Sequence, residues 1–179
     1  MVGRSKDLSL NSWTVLALLV DDGPAHGFAL AKQLGRTTDI GRVWAVPRSL
    51  VYRSLEQLEQ RGYITPGAEL PGDAGPTRQQ LVATEVGRRA LWRWRRTPVG
   101  HLRDVRPEFI LKLLLTVRAE LDPGPLLRAQ RRAFADTRPE MSSHATGPDL
   151  VVEVWRDELW RAVDRTLDRL SDLADGHQG

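Results

Sequence analysis

Residues 65–77 read TPGAELPGDAGPT, and half of the twelve residues at 66–77 are proline or glycine. No helix continues through such a stretch, because proline lacks the N–H that a helix interior needs and glycine weakens it. The residues on both sides are patterned for helices, so the chain must break here and restart. Tyr63-Ile64-Thr65 precedes the break and RQQLVAT at 78–84 follows it. Two short strand-forming runs around a Gly/Pro-rich segment predict a β-hairpin with a long tip.

The helices around the hairpin fix its setting. Residues 9–21, SLNSWTVLALLVD, place Trp13, Leu16, Ala17 and Val20 on one face. Asp21-Asp22-Gly23-Pro24 ends that helix. A second helix is predicted over 25–35, AHGFALAKQLG, and 37–45 is less regular. Pro47 begins a third helix, which Gly62 closes. After the hairpin, Thr84 caps a helix that runs to about Thr97. Helix, helix, helix, hairpin, helix is the order of a winged helix-turn-helix. Beyond Pro98 helices are predicted over 107–119, from Pro123 or Pro125 to about Thr137, and over 149–174, with a loop at 139–148. The last carries Leu150, Val154, Leu159, Val163, Leu167, Leu170 and Leu173 on a stripe close to a heptad rhythm. The expected fold class is mainly α. A winged helix-turn-helix DNA-binding domain with a small β-hairpin wing occupies 1–97, and a helical dimerisation domain occupies 98–179.

The third helix, PRSLVYRSLEQLEQRG at 47–62, has its arginines first and its carboxylates later. The helix dipole favours the opposite order. Helical spacing sends Val51, Leu55, Leu58 and Gly62 to the core and Ser49, Tyr52, Arg53, Glu56 and Gln60 outward, with Arg48 at the margin. A recognition helix pushes its N-terminal residues into the major groove, where phosphates and guanine edges attract arginine and repel carboxylates. An ordinary solvated face is the plainer explanation of the same pattern. Overall charge agrees with a polyanion partner for one part of the chain only. Residues 1–100 hold 14 Lys and Arg against 9 Asp and Glu, while residues 101–179 hold 12 against 14. Candidate DNA contacts are therefore Arg48, Ser49, Tyr52 and Arg53 on the third helix and Arg78 and Gln79 in the wing. Lys32 and Arg36 are candidates for backbone phosphate, and Arg4 and Lys6 are weaker ones.

Enzymatic chemistry finds no support. His26, His101, His144 and His177 have no metal-ligand spacing, and GDAG at 72–75 lacks the Lys-Ser/Thr of a phosphate loop. The absence of cysteine excludes disulfides and thiolate ligands. No catalytic residue, cofactor or metal is expected. The N-terminal MVGRSKDLSLNSW has no signal-peptide core, and no run is apolar enough to span a bilayer. The expectation is a cytoplasmic protein with no membrane partner.

The segments GPAHGFALAKQL at 23–34, VYRSLEQLEQRGYI at 51–64, ATEVGRRAL at 83–91 and RPEFILKLLL at 106–115 resemble the PadR family of transcriptional regulators, over nearly the whole chain. The chain departs from the family pattern at Leu50 and Leu81. The resemblance implies a homodimer that binds a palindromic double-stranded operator, usually as a repressor, and releases it on a signal. It also implies that Trp92 and Trp94, in ALWRWRR, lie where a flat aromatic effector could stack. Packing against the C-terminal module is the other reading of these two. For Arg93, Arg95 and Arg96 the two readings are contact with DNA and solvation of their helix, and solvation is expected. Trp155, Leu159, Val163, Leu167 and Leu170 are expected at the dimer interface, with Phe109 and Leu113 packed beneath Trp155. The alternative functions are a winged-helix module for protein or RNA, and a ligand sensor with weak DNA contact.

Overall fold

The computed structural model describes residues 8–72, 75–137 and 146–176, without the side chains of 70–72, 75–78, 175 and 176. The chain divides into two compact units, Met1–Arg95 and Arg96–Gly179.

In the first unit α1 spans Leu10–Asp21, and the Ser9 hydroxyl caps it by accepting the Ser12 N–H at 3.2 Å. Val15 to Leu19 are all buried, while Trp13 and Val20 are only half-buried. The one-faced helix predicted from spacing is therefore enclosed on all sides, as a continuously apolar helix must be. α2 (Gly27–Gln33) starts on His26, whose Nδ1 accepts the Ala29 N–H at 3.1 Å. The irregular stretch after it contains a short helix, α3 (Asp39–Trp44), capped by the Thr38 hydroxyl. Six residues are too few to show a helical period. α4 (Arg48–Gln60) buries Val51, Ser54, Leu55 and Leu58. It ends at Gly62 (φ +66°), beyond which the Tyr63 N–H returns to the Leu58 carbonyl at 2.9 Å.

The hairpin has longer strands than its sequence predicts. β1 (Ile64–Gly72) pairs antiparallel with β2 (Gly75–Ala83), from Ile64↔Ala83 to Gly72↔Gly75. The register shifts between Pro66 and Glu69 and again between Leu70 and Gly72. The expected long tip is thus mostly ladder. Proline and glycine are tolerated because a two-stranded ribbon has only edge strands, and the irregularities absorb them. On its other side β2 pairs with Ala25 through Leu81, both N–H groups donating across at 2.9 and 3.2 Å.

α5 (Glu85–Arg96) closes this unit. The Thr84 hydroxyl accepts the Gly87 N–H at 3.1 Å and donates to the Gly62 carbonyl at 2.7 Å. Trp94 stacks on Trp13 with centroids 5.2 Å apart and planes 9° apart. Arg95, expected in solvent, is buried and forms a two-pronged ion pair with the equally buried Asp21. Its position beside Trp94, on the inward face, decides this over its charge.

The second unit begins with the turn Leu102–Asp104 and a π-helical turn Val105–Phe109, followed by α6 (Ile110–Arg118), α7 (Gly124–Ala135) and α8 (Gly147–Gly176). Pro107 cannot donate to a helical ladder, and the Ile110 N–H reaches back five residues to Val105. The core joins Val99, Val105, Phe109, Leu113, Leu126, Leu127, Phe134, Trp160, Val163 and Leu167. Phe134 and Trp160 meet edge to face at 4.9 Å. The Gln130 side chain accepts the Val99 N–H at 2.8 Å and donates to its carbonyl at 2.9 Å. Lys112 is buried and donates to the Thr97 carbonyl at 2.8 Å and to Glu108 at 2.7 Å. Burial lowers the Lys112 ammonium below its ordinary 10.5, against the pull of Glu108 and Asp104.

Part of the expected dimer surface is reassigned by this packing. Val163 and Leu167 are buried in the chain's own core, with Leu170 packed against it and Leu159 half-buried. Phe109 and Leu113 lie with them and with Trp160, whereas Trp155 is 64% exposed. A heptad stripe needs a partner, and for this half of α8 the partner is the same chain. Most of the loop expected at 139–148 lies outside the described residues.

Candidate nucleic-acid interface

The first turn of α4 holds no acid, and Arg48, Ser49, Tyr52 and Arg53 are all exposed on it. Glu56 and Gln60 continue the same exposed face toward the C-terminal end. The outward set matches that predicted from spacing, but on the inward side Gly62, expected at the core, is exposed because the helix has already ended at Gln60, and Ser54 is buried instead. What the sequence does not show is how α2 meets this turn. The Arg48 guanidinium carbon lies 5.4 Å from the Phe28 ring centre and 5.7 Å from that of Tyr52. Tyr52 reaches this place because Gly27 has no side chain. A Cβ there would come within 2.9 Å of Tyr52 Cε1.

Lys32 lies one helical turn beyond Phe28 on α2 and is exposed, as is Arg36 just after the helix. Lys32, Arg36, Arg48 and Arg53 form no ion pair with a carboxylate among the described residues. Arg42 on α3 is a further exposed cation of this kind. It was missed because its helix is too short to be recognised. Arg53 also borders a polar groove of about 460 Å³ between α4 and the start of α1. There Ser9, Asn11 and Gln57 offer hydrogen-bonding groups, and Ser12 donates to Gln57 at 2.8 Å.

In the wing, Gln79 is exposed, with its amide 3.5 Å from the Gly67 carbonyl. Arg78 pairs with Leu70 through the backbone ladder, and its side chain lies outside the described residues, as do Arg4 and Lys6 entirely. The two tryptophans of α5 separate. Trp94 gives one ring face to Trp13, while Trp92 is 56% exposed over an open groove of about 520 Å³ with Arg88, Arg89 and Arg93. Among the described residues no cluster of His, Asp or Glu could hold a metal ion. No helix among them is long and apolar enough to cross a membrane.

The first unit, with three short helices leading to an exposed α4, a two-stranded hairpin and the closing α5, is a winged helix-turn-helix. Residues 15–93 match the model of the Transcriptional regulator PadR-like family. Among solved structures, similar ones include Bacillus subtilis PadR in complex with operator DNA, at 17% identity and a TM-score of 0.48, covering 94% of this chain and 99% of that one. The protein smu.1604c from Streptococcus mutans UA159 is 13% identical, with a TM-score of 0.43 and coverage of 88% and 96%. The PadR-like transcriptional regulator BC1756 from Bacillus cereus is 15% identical, with a TM-score of 0.42 and coverage of 96% and 99%. Among curated proteins none matches the chain by sequence.

Proposed function

We propose that this chain is a cytoplasmic transcriptional repressor that binds a palindromic operator as a homodimer and lets it go when a small aromatic effector binds. In this reading Arg48, Ser49, Tyr52 and Arg53 enter the major groove or meet its phosphates. Arg78 and Gln79 meet the flanking DNA, and Lys32 and Arg36 grip the backbone. One observation carries the reading: cations gathered at the start of α4 and the end of α2 have no carboxylate partner among the described residues. A cation at a helix N-terminus opposes the dipole by about 0.3–1 kcal/mol. The Phe28 and Tyr52 rings offset part of that cost at Arg48, but no described residue supplies the negative charge that a DNA phosphate would.

Residues 98–179 serve as the dimerisation domain. Its contact centres on the start of α8, where Leu150, Val151, Val152, Val154 and Trp155 are all exposed. Trp155 keeps its expected place there, with Leu159 and Leu170 at the margin and Val163 and Leu167 as internal support. Trp92, with its arginine neighbours, is the stacking surface for an effector, and Trp94 supports the helix from beneath. No catalytic step or cofactor is assigned.

The test is fluorescence anisotropy on DNA from upstream of the protein's own gene, beside a scrambled duplex, across a salt series. Binding to the upstream fragment at least about a thousandfold tighter is expected of a specific binder. Equal, steeply salt-dependent binding to both would reduce the contact to the backbone. Dimerisation is read by sedimentation of the double variant Val151→Glu with Trp155→Glu, which is expected to be monomeric. A persistent dimer moves the interface elsewhere. Surface variants are the better choice because deleting 149–179 also removes Trp160, Val163 and Leu167 from the core.

A further inference from the structure

Phe28 has no part in the core or in any contact so far assigned to DNA. It sits at the second position of α2 and is 51% exposed. Large exposed aromatics on a water-facing surface call for a reason. Here the neighbours supply one. The Arg48 guanidinium lies over both the Phe28 ring and the Tyr52 ring, within the range where it is attracted to an aromatic face. Tyr52 is one turn along the same helix, and its place is set by contact with Gly27. The His26 ring lies 6.4 Å from that of Phe28, and His26 itself is held as the α2 cap. The bracket is thus built from two elements, each fixed locally.

The consequence concerns orientation. An arginine side chain on an exposed helix turn samples many rotamers, and a bidentate contact to guanine O6 and N7 needs one of them. Two ring faces restrict the guanidinium without using its N–H groups, because the attraction is to the π cloud. No hydrogen bond or ion pair to a described residue competes for those donors. A carboxylate in the place of Phe28 would also hold Arg48, but it would neutralise the charge and occupy the fork. An aromatic holds the arginine and leaves it available.

We propose that Phe28 is a specificity-determining positioning residue, which with Tyr52 holds Arg48 in the orientation that reads one guanine in each half-site. The proposal rests on the DNA-binding reading of α4, and the experiment separates the two. The full chain first selects from a random duplex library. If the wild type enriches no sequence, the DNA reading itself fails and this proposal falls with it. If a site emerges, wild type, Arg48→Ala, Phe28→Ala, Phe28→Leu and Phe28→Tyr are titrated against every single-base change in it.

Arg48→Ala is expected to lose roughly 10- to 100-fold of discrimination at one G·C pair per half-site. Phe28→Ala and Phe28→Leu should lose most of the discrimination at that same pair, keep it elsewhere and leave the salt slope unchanged. Phe28→Tyr, which keeps the ring, should behave as wild type. The proposal is overturned if Phe28→Leu discriminates as well as wild type, if Phe28 variants weaken all sequences equally, or if they act at a different pair from Arg48→Ala. Should Phe28→Ala fold poorly, the Leu and Tyr variants decide the matter by themselves.

Discussion

The α2–α4 surface of the first unit and the α7–α8 surface of the second use basic residues in opposite ways. On α7 and α8, Arg131 faces Asp168 at 2.6 Å, Arg161 faces Asp157 and Glu158 at 2.7 Å, and Arg156 faces Glu153 at 3.7 Å. On α2, just after it and on α4, the exposed Lys32, Arg36, Arg48 and Arg53 face no carboxylate among the described residues. Paired charges cancel within about a Debye length and leave little field outside. Unpaired charges on one surface add, and a polyanion is the partner that gains most from them. Composition alone, at +3 for the whole chain, conceals this division.

The largest expected effect tests a buried pair within the first unit. Arg95 is paired and buried with Asp21, so Arg95→Ala leaves a carboxylate uncompensated in the core. A loss of about 3–5 kcal/mol in denaturant unfolding is expected. A loss under 1 kcal/mol would mean that water reaches Asp21 and that the pair is a surface feature after all. Next comes Arg53→Ala. It should leave stability unchanged and weaken operator binding by roughly 1–3 kcal/mol if Arg53 reads a guanine. Unchanged affinity and base preference would remove it from the contact surface.

Arg161→Ala on α8 is the mirror experiment. It should cost about 0.5 kcal/mol or less in stability and leave DNA affinity alone. A tenfold loss of binding would break the contrast between the units. The smallest effect is a slope. Burial keeps the folded Lys112 less ready to hold its proton than the unfolded one, although Glu108 offsets part of this. The unfolded chain therefore binds more protons between the lowered folded value and 10.5, and stability from this group rises with pH across that window. Thermal melts of the wild type should gain on those of Lys112→Met as pH is raised from neutral toward 10. Parallel curves would show that Lys112 has the same proton affinity in both states.

The sequence made α4 legible because its period is clean. Val51, Leu55 and Leu58 fall inward and Ser49, Tyr52 and Arg53 outward, as their spacing requires. Its ends were legible too, from Pro47 and Gly62. The wing was underestimated because Pro66, Gly67 and Pro71 carry loop propensities, which a ribbon of edge strands overrides. Arg95 was misread because arginine is rarely buried, and its burial depends on Asp21, which sequence places at the end of another helix. The stripe on α8 showed that Val163 and Leu167 need cover but not which chain supplies it. The contact between Phe28 and Arg48 was invisible, since nothing in one dimension brings the two together.

The stacked indoles of Trp13 and Trp94 also give the first unit a built-in optical gauge. Two nearly parallel rings at 5.2 Å couple their electronic transitions, and the coupling vanishes when α1 and α5 separate. Circular dichroism in the indole bands therefore reports whether the first and last helices of the winged domain remain together, with no label attached. Trp13→Phe should abolish that signal while keeping an aromatic ring in place, so one substitution both identifies the gauge and calibrates it.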